Sequence, residues 1–298
     1  SYQIDLTPSL AFDAAILLNI TPDHLERHGG MDGYVKAKKA IFANQGPTHT
    51  AVIGVDTEPS HEIYAALQKS RNQTVVPISG NTPVSGGVFV ENGILIDDSY
   101  YRREPIMDLR DVVTLTGEHN WQNAAASFAT FRAIGLEVDE IVSGMGTYPG
   151  LSHRQEIVKT IDGVLFVNDS KATNPDAAAR ALASYTNIYW IAGGQSKEGG
   201  FDQLLPYLKN VHHAYLVGDD AELIHQAIYS DASCTISGNI ADATAAAYRQ
   251  AVKDGNESAV VMFSPACASF DQFKNFEERG DHFKQCVASI HTKSRGVA

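Results

Sequence analysis

The chain has 298 residues, 44% of them hydrophobic and 19% charged, and its 23 basic against 35 acidic side chains leave a formal charge of −12. At about 100–200 residues per domain this describes a two-domain globular chain with room for a sizeable core. So acidic a surface excludes a general binder of nucleic-acid backbone, while local basic clusters remain free to hold a phosphorylated small molecule. Cys234, Cys267 and Cys286 are odd in number and lack CxxC spacing, which argues against a disulfide framework or a structural zinc site and for a reducing compartment, the cytoplasm. No apolar run reaches about 18 residues and no basic stretch precedes an apolar one at the start, so neither a membrane span nor a secretory signal is expected.

"SYQIDLTPSL" reads as the middle of a strand-and-turn region, with further chain expected upstream. "AAILLNI", residues 14–20, is a short apolar run ending in polar residues, the pattern of a buried strand that delivers a loop carrying Asp23 and His24. From Met31 to Ala43, Tyr34, Ala37, Lys38 and Ile41 recur at helical spacing, so one helix face projects back toward that strand end. "TAVIGV" and "TVVPIS" predict strands, and "GGVFVENGILIDD" predicts a hairpin turning at Asn92-Gly93. "GEHNWQNAAASFATFRAIG" predicts a helix with Trp121, Ala125, Phe128 and Ala129 on one face and Gly135 as its stop. The glycines and proline of residues 146–152 make a candidate linker.

Beyond it, strands "GVLFVND", "IYWIAGG", "HAYLVG" and "SAVVMFS" alternate with helices expected at 174–185, 201–208, 221–229 and 241–253. Such alternation predicts a parallel sheet covered on both faces, and in such sheets ligands sit outside the carboxyl ends of the strands. Four loops leave those ends: "NDSKATN", "GGQSKEGG", "VGDD" and "SPACASFDQF". Lys171, Thr173, Lys197, Ser264 and Ser269 supply donors for an anion, and the glycines admit close backbone approach. Plainer readings stand beside these. Lys197 serves equally as a solvated surface lysine, "GGxxxxGG" is too loose for a nucleotide fingerprint, and Asp169, Ser170 and Asn174 equally suit caps of the next helix. Cys267, flanked by alanines, reads as a small buried residue rather than a nucleophile. His24, His28, His119 and His153 lack zinc-site spacing, and Asp23 with His24 alone reads as a cap with a satisfied neighbour.

Taken in order, "NITPDHLERHGGMDGYVKAKKAIF", "GEHNWQNAAAS", "LSHRQE", "VNDSKATNPDAA", "GGQSKEGGFDQL" and "SPACASFDQFKNFEERGDHF" resemble the successive signatures of the Mur ligases across nearly the whole chain. The last is similar to that of the branch that adds D-glutamate. The resemblance implies an α/β fold: part of a Mur-ligase central ATPase domain over residues 1–149, then a Rossmann-like, doubly wound, D-glutamate-binding domain over residues 150–298. It implies a ligase that uses ATP and Mg2+ to activate the carboxylate of UDP-N-acetylmuramoyl-L-alanine as an acyl phosphate, which the amine of D-glutamate attacks, in peptidoglycan synthesis.

By the same resemblance His24 is a magnesium ligand and Lys38 the lysine that becomes a carbamate, with Lys39 one residue away as the other choice. A carbamate turns an ammonium into an oxygen ligand suited to magnesium and requires the lysine to react in its neutral form. Asp23 and Arg27 support the phosphates or the metal. Asn120 and Asn123 match adenine contacts, Arg154 and Asp169 match residues holding the nucleotide's phosphate and ribose, and Lys171 lies beside them. Thr173, Lys197, Ser269, Phe270 and Phe276 match the D-glutamate pocket.

One departure stands out: no GxxxxGK[ST] occurs, and the family's metal-binding glutamate ahead of "SYQ" is missing too. The expectation is therefore a C-terminal piece, inactive alone and monomeric, or associated with a cleaved N-terminal fragment. Other readings are a dehydrogenase, which needs GxGxxG where "VNDSKATN" stands, a non-catalytic nucleotide- or D-glutamate-binding module, and a folylpolyglutamate-synthetase-like ligase, from which "SPACASFDQFKNFEERG" points away.

Overall fold

The structure, a computed structural model, describes residues 1–22, 25–196 and 200–290. Asp23, His24 and Lys197 lie outside the described residues. The chain divides into two compact units, Ser1–Tyr148 and the residues from Pro149 onward.

In the first unit β1 (Ala14–Leu17), β2 (Thr50–Gly54), β3 (Thr74–Ser79), β4 (Val88–Glu91), β5 (Ile94–Asp97) and β6 (Glu104–Asp108) form one sheet in that order. β1 to β4 run parallel, and β4 to β6 antiparallel. Strand periodicity sends Ala51 and Ile53 to a core with Tyr34, Phe42 and Ile63, and Val52 to the opposite core with Phe128 and Ala125. Helices α3 (Met31–Lys39) and α4 (Glu58–Ser70) supply the first core, and α5 (Glu118–Ala133) the second. The hairpin turns at Asn92 and Gly93, φ 51° and 81°, the twist that joins two strands with two residues. Pro77 is tolerated inside β3 because pairing with β4 starts only at Ile78.

The opening residues form a short helix, α1 (Tyr2–Asp5), instead of the expected strand. A second short helix, α2 (Leu25–His28), precedes α3, and α6 (Val138–Gly146) carries helix into the first residue of the expected linker.

The second unit orders its strands β11-β10-β9-β12-β8-β7, with β7 (Glu156–Ile161), β8 (Val164–Asn168), β9 (Ile188–Gly193), β10 (Val211–Val217), β11 (Cys234–Gly238) and β12 (Val260–Phe263). All neighbours are parallel except β7 with β8. Trp190 and Met262 face one core with Leu182 of α7 (Pro175–Ser184) and Ile224 of α8 (Ala221–Ile228). Tyr189, Ile191 and Phe263 face the other, with Ala247 of α9 (Ile240–Asp254) and Phe283 of α10 (Phe276–Ala288). The expected helix over 201–208 is a 3-10 stretch, Asp202–Asn210, because Pro206 lacks the donor an α-helix needs there. β12, last of the strands in sequence, inserts between β8 and β9, so three loops distant in the chain leave the sheet side by side.

Candidate functional site

At the carboxyl ends of β8, β12, β9 and β10 the four polar loops of the second unit are tied together. Ser264 Oγ donates to Asp169 Oδ2 at 2.8 Å, joining the ends of β12 and β8. Gln195 and Ala268 exchange two backbone hydrogen bonds of 3.0 and 2.8 Å, joining the loop after β9 to the loop after β12. Ser196 donates to Asp220 Oδ2 from its amide at 2.6 Å and from its hydroxyl at 2.7 Å, and the Asp219 amide donates to Asp271 Oδ2 at 3.2 Å. The Ser196 donors hold the Asp220 carboxyl below its ordinary range. Gly193 and Gly194, φ 130° and 135°, permit this crowding, since a Cβ would strike the Val217 carbonyl at the first and the Ala268 carbonyl at the second.

Three polar residues of "NDSKATN" divide their roles. Asn174 caps α7, its side chain accepting from the Ala177 amide at 2.9 Å. Asp169 caps nothing: it accepts from Ser264 and from the Gln155 amide at 3.1 Å, and is buried. Burial pushes its carboxyl up to about 7, against the pull of the Ser264 hydroxyl, the Gln155 amide and the Arg154 charge. Ser170 donates to the Phe276 carbonyl at 2.8 Å. Arg154 itself is exposed, on a turn where Leu151 and Arg154 form a bridge.

Lys171 Nζ sits 3.9 Å from the centre of the Phe276 ring, and among the described residues it has no acidic partner. Phe276 opens α10, which Asn275 caps by accepting from the Glu278 amide at 2.8 Å. Ser269 is 2% exposed, yet its hydroxyl has no hydrogen-bond partner among the described residues. A hydroxyl placed so is available to a ligand. Thr173 is half-buried two residues from Lys171, whereas Phe270 projects outward, 70% exposed. Cys267 is fully buried, its thiol pushed up to about 12, which leaves it neutral and inert as read from its alanine neighbours.

In the first unit the expected site residues are more dispersed. Lys38 on α3 is half-buried with Nζ 5.3 Å from the Tyr34 ring centre, and no carboxylate among the described residues pairs with it. Arg27 on α2 lies 3.9 Å over the Tyr2 ring and 3.5 Å from Asp5, a partly exposed pair that anchors α1. Asn120 and Asn123 stand on the first two turns of α5, where Asn123 Nδ2 donates to Asn120 Oδ1 at 3.3 Å and Asn120 Nδ2 donates to the Thr116 carbonyl at 2.9 Å. Beside them Gln122 Nε2 donates to Asp56 Oδ2 at 2.7 Å and Asn19 Nδ2 donates to Gln122 Oε1 at 3.2 Å, linking the ends of β1 and β2 to α5.

Two positions that tie these loops together have no role in the sequence reading. Asp220 lay in a recognised loop without an assigned partner. Arg279 sits on α10 at a position whose spacing with Phe283 and Val287 marks the buried stripe, and an arginine on an apolar stripe is the signal that would have found it.

The description "Mur ligase middle domain" matches residues 3–131, and "Mur ligase, glutamate ligase domain" matches residues 153–267. The chain is 48% identical over 290 residues to the UDP-N-acetylmuramoylalanine--D-glutamate ligase of Caulobacter vibrioides (strain NA1000 / CB15N), covering 97% of this chain and 61% of that protein. It is 47% identical over 295 residues to the ligase of the same name from Rhodospirillum rubrum, covering 99% and 62%. The chain thus spans about three fifths of the length of these curated relatives. Among solved structures, MurF ligase from Thermotoga maritima in complex with ADP superposes with a TM-score of 0.62 at 18% identity, covering 96% of this chain and 64% of that one, a likeness of fold.

Proposed function

This chain belongs to the Mur ligase family, and on that premise we propose that it is the middle and C-terminal part of an ATP-dependent ligase, acting in the cytoplasm, that joins D-glutamate to UDP-N-acetylmuramoyl-L-alanine through an acyl phosphate. The observation that carries the reading is its identity of 45–49% to D-glutamate ligases over nearly its entire length. That identity favours this substrate over a folate.

In this reading the first unit serves the nucleotide, and the second serves the amino acid and also lends two residues to the nucleotide. Asn120 and Asn123 present amides to adenine, and Arg154 and Asp169 hold phosphate and ribose. Ribose hydroxyls donating to Asp169 favour its ionised form, so nucleotide binding expels the proton that burial retains there. Thr173, Lys197, Ser269, Phe270 and Phe276 orient D-glutamate by its carboxylates and leave its amine free to attack, while Lys171 offsets charge developing nearby. Asp23 and Arg27 support the phosphate side.

For magnesium the fit rests on Lys38 and on His24, the latter outside the described residues. Among the described residues no three His, Cys, Asp or Glu side chains gather as a metal site. Lys38, without a carboxylate partner among the described residues, is placed to take up carbon dioxide and supply the oxygen donors that magnesium prefers. A bound magnesium ion would neutralise phosphate oxygens during transfer.

The test is phosphate release by the complete gene product, with ATP and UDP-N-acetylmuramoyl-L-alanine present and the amino acid varied. Turnover with D-glutamate and not with L-glutamate is the expected result. Release indifferent to the amino acid, or supported by a folate in place of the UDP substrate, would sink the proposal.

A further inference from the structure

Arg279 is 2% exposed and, among the described residues, no carboxylate contacts it. Its guanidinium instead spans three segments of the second unit. Nε donates to Ser170 Oγ at 3.1 Å, Nη2 to the Ser170 carbonyl at 2.8 Å, and Nη1 to the Cys267 carbonyl at 3.0 Å. A Cβ added to Gly194 would lie 3.1 Å from Nη1, so the loop after β9 also packs on the same group. Ser170 passes the link on, donating to the Phe276 carbonyl at 2.8 Å. The two loops bonded to this side chain each carry a residue assigned to the D-glutamate pocket, Thr173 after Ser170 and Ser269 after Cys267, and Phe276, reached through Ser170, opens the helix that bears Arg279.

Burying a cation against neutral acceptors alone is costly, and the arrangement is retained where the planar fork does something that a neutral side chain cannot. Burial draws Arg279 down to about 10, which still leaves it charged at neutral pH. A lysine carries the same charge but as a point donor, and it cannot hold two carbonyls and a hydroxyl in fixed directions.

We propose that Arg279 is a positioning residue for the amino-acid substrate: its guanidinium sets the spacing of the Ser170–Thr173 loop, the Cys267–Ser269 loop and the Phe276 turn, and thereby the affinity for D-glutamate. The inference rests on the functional reading above. Nothing in it requires Arg279 to touch the substrate.

The test compares Arg279→Lys and Arg279→Ala with wild type in the complete gene product. Arg279→Lys should raise KM for D-glutamate about tenfold or more, with KM for ATP held within about twofold, because only one of the substrate sites loses its spacing. Free guanidinium at millimolar concentration should restore the D-glutamate KM of Arg279→Ala and leave Arg279→Lys unchanged. An unaltered D-glutamate KM in Arg279→Lys, or an equal rise for ATP and D-glutamate, overturns the inference.

Should both variants fail to fold, the wild-type protein still decides. Exchange of the slow arginine Nε–H with solvent, followed by NMR on isotope-labelled arginine, should slow further with D-glutamate and not with L-glutamate; no change overturns the proposal. Wild type inactive with D-glutamate strikes the functional reading and takes this inference with it, whereas active wild type with an unmoved Arg279→Lys strikes this inference alone.

Discussion

The two units end their parallel strands with an aspartate each, and the two aspartates are treated in opposite ways. Asp56, after β2, is exposed and accepts three hydrogen bonds: from Ser79 Oγ at 2.5 Å, the Gly80 amide at 3.1 Å and Gln122 Nε2 at 2.7 Å. Asp169, after β8, is buried and accepts two, and its carboxyl is pushed up to about 7. The first is a fastener whose acceptors are already occupied at a wet edge. The second is a group whose charge the fold resists and a ligand's donors would stabilise, the condition expected of a working residue. The same contrast separates Gln122, bonded at both ends of its amide, from Ser269, a buried residue whose hydroxyl has no partner among the described residues.

The sharpest way to break this comparison is to neutralise each aspartate in the complete gene product. Asp169→Asn should lower phosphate release by about 100-fold or more, the order expected when an electrostatic contact to a reacting nucleotide is removed, and Asp56→Asn should stay within a few-fold. Equal losses in the two variants would erase the distinction.

A smaller effect follows from pH. In the folded chain Asp169 keeps its proton up to about 7, against an ordinary value of 3.8. The folded state therefore binds more protons between those values, so this group's contribution to stability is fully present below the ordinary value and is lost as pH rises through about 7. Chemical denaturation of wild type at pH 5 and pH 8 should show a larger loss than Asp169→Asn shows, with a difference of order a few kcal/mol. A parallel pH dependence would show that Asp169 ionises freely.

Asp56→Asn should cost about 1 kcal/mol in the same measurement, the net worth of a partly solvated hydrogen bond, at both pH values alike. Smallest of all, Asn174→Ala should cost about 0.5–1 kcal/mol through the lost helix cap, with D-glutamate KM unmoved, since Asn174 faces its own helix. A changed KM would move Asn174 from cap to pocket.

Much of the architecture was legible locally. Buried strands such as Thr74–Ser79 and Ile188–Gly193 are continuous apolar runs, and Asn92-Gly93 carries the turn chemistry of its hairpin. The elements that went unread were β6, β7, β11, α2, α4, α6 and α10. The edge strands β6, β7 and β11 pair on one side only and expose many residues, so they lack an apolar run to announce them, and Pro105 is tolerated in β6 because it lies on an edge. The helices α4 and α10 bury only a narrow stripe among polar residues.

For the site, the sequence by itself determined which residue types stand on which loops, because a strand's end and a glycine's freedom are local properties of the chain. It also left Asp169, Ser170 and Asn174 indistinguishable as caps. Only the tertiary structure separated them: inserting β12 beside β8 brings Ser264 to Asp169 across 95 residues of chain, and folding α10 back brings Arg279 to Ser170 across 109. Hydrogen-bond partners, burial and the charge state that burial imposes are set by whatever the fold places within about 3 Å, and that distance has no counterpart along the sequence.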